Sequence, residues 1–284
     1  MAVLETAMPL SPYEQRAQSE IEAFFTTPDD GLMGRVSKTL FRPVEMLTER
    51  LVPDRVLEAA GVGVEGVLKG IAHLSDRTVG VEKVIALARQ TAEVDSVEEL
   101  KTLDLEALDA VADEIAQQHE MIALLEGAGC GLGGAALLAA DIPLLFGVAM
   151  RVVRLLGASY GVDPFAPGEG VIAFKVFELA GGGTRDRFAR LLELEALQDE
   201  LDGLEPQARA EKAAVLASLI ISREATKRIV SLLISRKIFQ TLPLAGAVVG
   251  AGFNYMFVQD IGNTAKQVYR RRFLSDKAGE PLKG

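Results

Sequence analysis

Glu126-Gly127-Ala128-Gly129-Cys130-Gly131-Leu132-Gly133-Gly134-Ala135-Ala136-Leu137-Leu138-Ala139-Ala140-Asp141-Ile142-Pro143 is the stretch on which the fold turns. Gly127/Gly131 and Gly129/Gly133 are small residues spaced four apart, a pattern that lets two helix backbones approach closely. A second stretch repeats it: Pro243-Leu244-Ala245-Gly246-Ala247-Val248-Val249-Gly250-Ala251-Gly252-Phe253-Asn254-Tyr255, with the pair Gly246/Gly250. Strand signals are weak along the whole chain, so the class is all-α. The expectation is a multi-helix domain in which Gly127, Gly131, Gly133, Gly134, Gly246, Gly250 and Asn254 pack two apolar helices together, Asn254 hydrogen-bonding a neighbouring helix.

Neither stretch makes a convincing membrane span. A span needs about twenty predominantly apolar residues, and only fourteen uncharged residues separate Glu126 from Asp141. The second stretch is uncharged from Ile238 to Gln259 but contains Gln240, Pro243 and Asn254. It is flanked by Arg236 and Lys237 on one side and by Lys266, Arg270, Arg271 and Arg272 on the other. Basic residues at both ends fit a buried hairpin or an interfacial segment better than a span, where they concentrate on the cytoplasmic side. Those six basic residues are the candidates for contact with anionic lipid head groups.

Working outward, Ser11-Pro12 starts a helix that gathers Ile21, Phe24 and Phe25. A second helical piece spans Leu40 to Leu51, and the first fifty residues read as a loosely attached lead-in. Pro53-Asp54 opens a helix in which Gly63, Gly66 and Gly70 imply close helix contact. Ser96-Val97-Glu98-Glu99 is a capping box. A long helix then begins near Asp104, with Leu105, Leu108, Val111, Ile115, Ile122 and Leu125 on one stripe.

Of the 284 residues, 49% are hydrophobic and 6% aromatic, with no Trp. That excludes a disordered chain. A lone Cys130 makes no internal disulfide, and the N-terminus has no basic and apolar leader, so a cytoplasmic setting is expected. The net charge of −10 opposes nucleic-acid binding. Yet residues 93–126 hold eleven carboxylates against the single Lys101, whereas 221–274 hold nine basic residues against Glu224 and Asp260. The two blocks either pack together or the basic one faces an anionic surface.

Few residues suggest chemistry. His119-Glu120 lacks the second His of a zinc helix, since position 123 is Ala, and places His119 on a polar face. With His73 the only other histidine, no metal site is expected. The glycines of 127–134 lead to Ala135 rather than Lys-Ser/Thr, so no phosphate loop or nucleotide cofactor is expected. Asp141 reads either as the N-cap of a helix starting at Ile142 or as a buried acid paired with Arg151 or Arg154. Tyr160-Gly161-Val162-Asp163-Pro164 reads as a helix end with Gly161 left-handed, or else as a Tyr160/Asp163 functional pair. Asp141, Arg151, Tyr160 and Asp163 are thus the catalytic candidates.

The run Gly129-Cys130-Gly131-Leu132-Gly133-Gly134, then Ala140-Asp141-Ile142-Pro143, Arg151, Arg154 and Tyr160-Gly161-Val162-Asp163-Pro164 resembles the EcsC family of bacterial proteins. The likeness resumes at Leu242-Pro243, Gly246/Gly250, Asn254 and Ala265…Tyr269-Arg270-Arg271-Arg272-Phe273. The resemblance implies an α-helical protein associated with a membrane or a transporter, and it supplies no reaction. The domain reading is 1–50 lead-in, 51–275 EcsC-like domain and 276–284 disordered tail. The expected function is a non-enzymatic accessory protein at the inner face of the membrane, binding an anionic surface, a membrane protein, or a lipid or apolar ligand. A soluble helical scaffold or homodimer, and a hydrolase-like enzyme using Asp141, are the alternatives.

Overall fold

Helix starts follow local capping chemistry. The computed structural model describes residues 10–27, 54–72, 80–130, 135–181, 187–237 and 246–279. Among them are ten α-helices, one 3-10 turn and no strand. In α1 (Pro12–Thr26) Ser11 Oγ accepts from the Glu14 N–H at 3.3 Å and Glu14 accepts from the Ser11 N–H at 2.8 Å. Ile21 and Phe25 are buried, as their spacing predicts. The expected piece at Leu40–Leu51 lies outside the described residues. Helix α2 (Asp54–Ala72) opens right after Pro53, and α3 spans Val81–Ala88. The capping box at Ser96 is half formed: Ser96 Oγ accepts from the Glu99 N–H, but Glu99 reaches back to the Asp95 N–H. It leads into the 3-10 turn Glu98–Thr102, whose N-cap is Val97, and α4 (Leu105–Cys130) follows.

Two expectations about α4 and α5 are corrected. The buried stripe of α4 is Leu105, Leu108, Ala112, Ile115, His119 and Ala123, whereas Ile122 and Leu125 are 39% and 69% exposed. Spacings of three and four carry the stripe through His119, not onto Ile122. Helix α5 runs Ala135–Ser159 straight through Pro143, so Asp141 lies inside a helix rather than at its N-cap. An interior proline costs about 3 kcal/mol or more of helix stability, and here tertiary packing offsets it. The Pro143 ring lies on Gly63 of α2, so close that a Cβ there would sit 2.3 Å from Pro143 Cγ. The end of α5 is as expected. Gly161 has φ 81°, the Val162 N–H donates to Gly157 O and the Gly161 N–H to Ala158 O, which is a Schellman close.

Helices α6 (Glu169–Gly181), α7 (Arg187–Asp202), α8 (Pro206–Ile220), α9 (Arg223–Lys237) and α10 (Gly246–Ala278) complete the set. Helix α10 packs most extensively on α4, and α5 contacts both, giving a three-helix centre; α2 packs on α5. Phe146, Phe177 and Phe257 tie α5, α6 and α10 edge to face, with centroids 5.0 and 6.2 Å apart. The glycines that bring α10 onto its neighbours are Gly157, where a Cβ would lie 2.8 Å from Tyr269 Cζ, and Gly262, set against Val152, Ala116 and Leu156. What Gly127, Gly246 and Gly250 touch, and the placement of Gly131, Gly133 and Gly134, lie outside the described residues. Ala139–Ser159 is long and apolar enough to cross a membrane, but 72% of its most apolar window is buried in the protein.

The described part of the lead-in and the first residues of the segment read as the tail are packed on the core. Helix α1 packs on α10, α7 and α4. Helix α10 continues to Ala278, with Lys277 2.6 Å from Glu14 and Asp276 near Lys101, so the tail as read from 276 begins too early.

The glycines of α2 divide by environment. Gly63 meets Pro143, while a Cβ added at Gly66 or Gly70 would have nothing within 4 Å among the described residues. Gly63→Ala therefore overpacks the α2–α5 contact and should cost about 1–3 kcal/mol, whereas Gly66→Ala should stabilise by up to about 1 kcal/mol. Urea denaturation of the two variants measures the contrast.

Candidate functional site

The acidic and basic blocks pack together. Asp109, on α4 and 2% exposed, is their centre. It accepts from Tyr13 Oη of α1 at 2.7 Å and from Tyr160 Oη, just past α5, at 2.6 Å. Arg270 Nη2 of α10 lies 2.9 Å from it, and Arg270 Nη1 donates to Glu20 of α1 at 2.9 Å. Burial and the bond to Asp109 push the Tyr13 hydroxyl up to about 12, and Tyr160 is raised well above its usual value by the same causes. Lys266 pairs with Asp113 of α4 at 2.6 Å.

A second node holds the other side of α10. Arg272 grips Glu169 through both terminal nitrogens at 3.0 Å, and Arg209 of α8 adds bonds to Glu169 and Asp202. Arg271 pairs with Glu195 of α7. The expectation of lipid contact at Arg270, Arg271 and Arg272 is therefore corrected in their placement: they are 5%, 6% and 13% exposed at the side chain and bound to carboxylates. Buried arginines need such partners, because desolvation without one is costly. The side chains of Arg236 and Lys237 lie outside the described residues.

The catalytic candidates do not converge. Asp141 and Arg151 share helix α5, ten residues and about 15 Å apart along its axis, and Tyr160 is about 28 Å from Asp141 by the same rise. Tyr160 is bonded to Asp109. Asp163 caps its own turn, accepting from the Phe165 N–H at 2.9 Å. Arg154 braces that turn, donating to Pro164 O at 3.0 Å with its guanidinium 5.4 Å over the Phe165 ring. Asn254 is 1% exposed, and neither amide atom has a hydrogen-bond partner among the described residues, against the expected interhelical bond. Among the same residues no cluster of three or more His, Cys, Asp or Glu is placed to hold a metal.

What the helices do leave is a cleft. Between α2, α4 and α5 lies a cavity of about 670 Å³, larger than the one of about 410 Å³ bordered by α6, α7 and α9. Ligand sites run about 300–1,000 Å³. Gly66 and Gly70 line it, as do Pro143, Leu144 and Gly147 of α5 and Ile122 of α4. Arg151, Arg154 and His119 line it too, with Glu126. The sequence signal missed here is that the open glycines of α2 make room rather than contact.

His119, which the sequence puts on a polar face, is instead 5% exposed. Its Nδ1 lies 2.8 Å from Ile115 O. A carbonyl only accepts, so Nδ1 carries the proton and Nε2 of the neutral ring is an acceptor. Burial holds the ring below its usual 6.5, Lys83 and Arg151 lower it further, and the bond to Ile115 opposes them.

Two outcomes follow. Asp109→Ala removes the buried carboxylate partner of Arg270 and the acceptor of the Tyr160 hydroxyl and should cost about 3–5 kcal/mol, read as a fall in the urea midpoint. By proton NMR, one of the two histidine signals should titrate below pH 6.5 and vanish in His119→Gln. The fold holds the neutral ring, so its contribution to stability is present above pH 6.5 and is lost as the pH falls through the depressed value.

The model of the EcsC protein family matches residues 25–274. Protein EcsC of Bacillus subtilis (strain 168) is 26% identical over 214 residues, covering 75% of this chain and 80% of its own. YdbA of the same organism, an uncharacterized protein, is 27% identical over 186 residues, covering 66% of this chain and 65% of its own, just under two thirds of that relative. No solved structure matches. With the family pattern running from the end of α1 to the last turns of α10, the chain belongs to the EcsC family.

Proposed function

We propose that the protein is a non-enzymatic, membrane-associated accessory protein that docks on the inner face of the membrane through the rim of the α2–α4–α5 cleft and takes a lipid or other apolar-tailed ligand there. The observation that carries this reading is the apolar rim. Ile122 and Leu144 line the cleft and are 39% and 46% exposed. Leu125, one turn after Ile122 on α4, and Met121, one turn before Leu125, are 69% and 47% exposed, and Val62, one turn before Gly66, is 73% exposed. Contiguous exposed apolar side chains mark partner or membrane surfaces. The basic residues of α10 contribute little to such docking, because carboxylates already hold them.

Flotation with phosphatidylglycerol-containing vesicles at low salt tests this. The wild type should rise with the vesicles and the double variant Ile122→Glu/Leu125→Glu should remain below. A wild type that stays below overturns the reading. If the wild type stays below and light scattering finds a stable dimer that the double variant dissolves, the rim serves a second copy and the scaffold alternative holds.

A further inference from the structure

The cleft is polar at one end and apolar at the other. Helices α4 and α5 are consecutive and pack together, so they run in opposite directions; of the residues that line the cleft, Ile122 and Glu126 therefore lie toward Ala140 and Leu144, and His119 toward Arg151. Gly63 touches Pro143 and Gly147 faces Val67, so α2 runs alongside α5 in the same direction. Gly66 and Gly70 are then the wall facing the middle of the cleft and its basic end. From Ala140 to Arg154 the lining covers about 21 Å of helix, long and narrow rather than round.

We infer that the cleft binds a single-chain lipid with an anionic head group, a carboxylate or a phosphate monoester, its head at Arg151, Arg154 and His119 and its chain running past Leu144 and Ile122 to the rim. Three observations carry this. The two guanidinium groups of the cleft lie at the same end as its histidine, and a guanidinium matches carboxylate and phosphate geometry. The neutral ring of His119 presents an acceptor that suits the protonated oxygen of a phosphate monoester, while a carboxylate head is held by the guanidinium groups alone. The other end is lined by Ala140, Pro143, Leu144 and Ile122, and Glu126 there disfavours an anion, which fixes the orientation. The glycines supply the room: among the described residues nothing lies within 4 Å of where a side chain at Gly66 or Gly70 would begin.

This inference rests on the cleft reading given under the proposed function, but its test uses no membrane. The full chain is titrated in solution with 11-(dansylamino)undecanoic acid below its micelle-forming range, and fluorescence enhancement is followed. The chain has no Trp, so the dansyl signal is read without tryptophan background. Binding should saturate and be displaced by laurate and by dodecyl phosphate, and not by dodecyltrimethylammonium or inorganic phosphate. Gly66→Leu/Gly70→Leu, which places side chains in the cleft from two positions where a Cβ has nothing within 4 Å among the described residues, should weaken binding at least tenfold while leaving the circular dichroism spectrum unchanged. Arg151→Glu should weaken it comparably and Arg151→Lys should restore most of it. Displacement by the cationic amphiphile as effective as by laurate, or binding unchanged in the double glycine variant, overturns the inference. Flotation without dansyl-probe binding leaves the membrane reading standing and removes this one; probe binding without flotation does the reverse.

Discussion

One buried carboxylate organises the molecule. Asp109 is reached by a hydroxyl from α1, a hydroxyl from the end of α5 and a guanidinium from α10. It thereby ties three other elements to α4, which carries it. A carboxylate has about four lone-pair sites, and three donors with charge-assisted geometry make its burial tolerable. Tyr160 is in turn placed by the Schellman close at Gly161, whose missing side chain lets the turn settle on Lys101. Local backbone chemistry, the helix register and the long-range pairing of acidic and basic blocks all support the same arrangement.

That arrangement has a consequence for where the protein meets other molecules. Pairing uses the basic groups of α10 inside the fold, with Arg270 on Asp109 and Glu20, Arg271 on Glu195, and Arg272 on Glu169 and Asp202. A surface that draws on those charges would have to break buried ion pairs. The cleft lies elsewhere, and its rim is apolar and already exposed. Its two ends differ in charge and polarity, and among the described residues its α2 wall is formed by glycines with nothing within 4 Å of where a side chain would begin.

Much of the fold is legible in the sequence. The caps at Ser11 and Gly161, the start after Pro53 and the helical class follow from local rules; the opposite charge of 93–126 and 221–274 is visible as well, but only the structure decides that the blocks pair. The misreadings arise where tertiary packing overrides a local signal. Asp141 before Ile142 and Pro143 reads as the N-cap of a helix, yet the Pro143 ring sits inside one and fits a glycine of a neighbouring helix that is far away in the chain. His119 reads as polar, yet it satisfies its own turn through Ile115 O and so can be buried. The arginine run reads as a surface feature because its carboxylate partners come from α1, α4, α6 and α7, scattered over the chain. The candidate site is hardest to see, since a cavity is made by what several helices do not fill, and Gly66 looks no different in sequence from Gly63.

If lipid meets the protein at the α2–α4–α5 cleft and not along the basic helix α10, photocrosslinking will show it. The full chain is irradiated with anionic vesicles containing a diazirine-bearing acyl lipid, and the modified peptides are mapped by mass spectrometry. Docking at the cleft predicts adducts concentrated in residues 62–70, 119–126 and 140–148. Adducts confined to residues 266–277, or spread evenly over the surface, would contradict it.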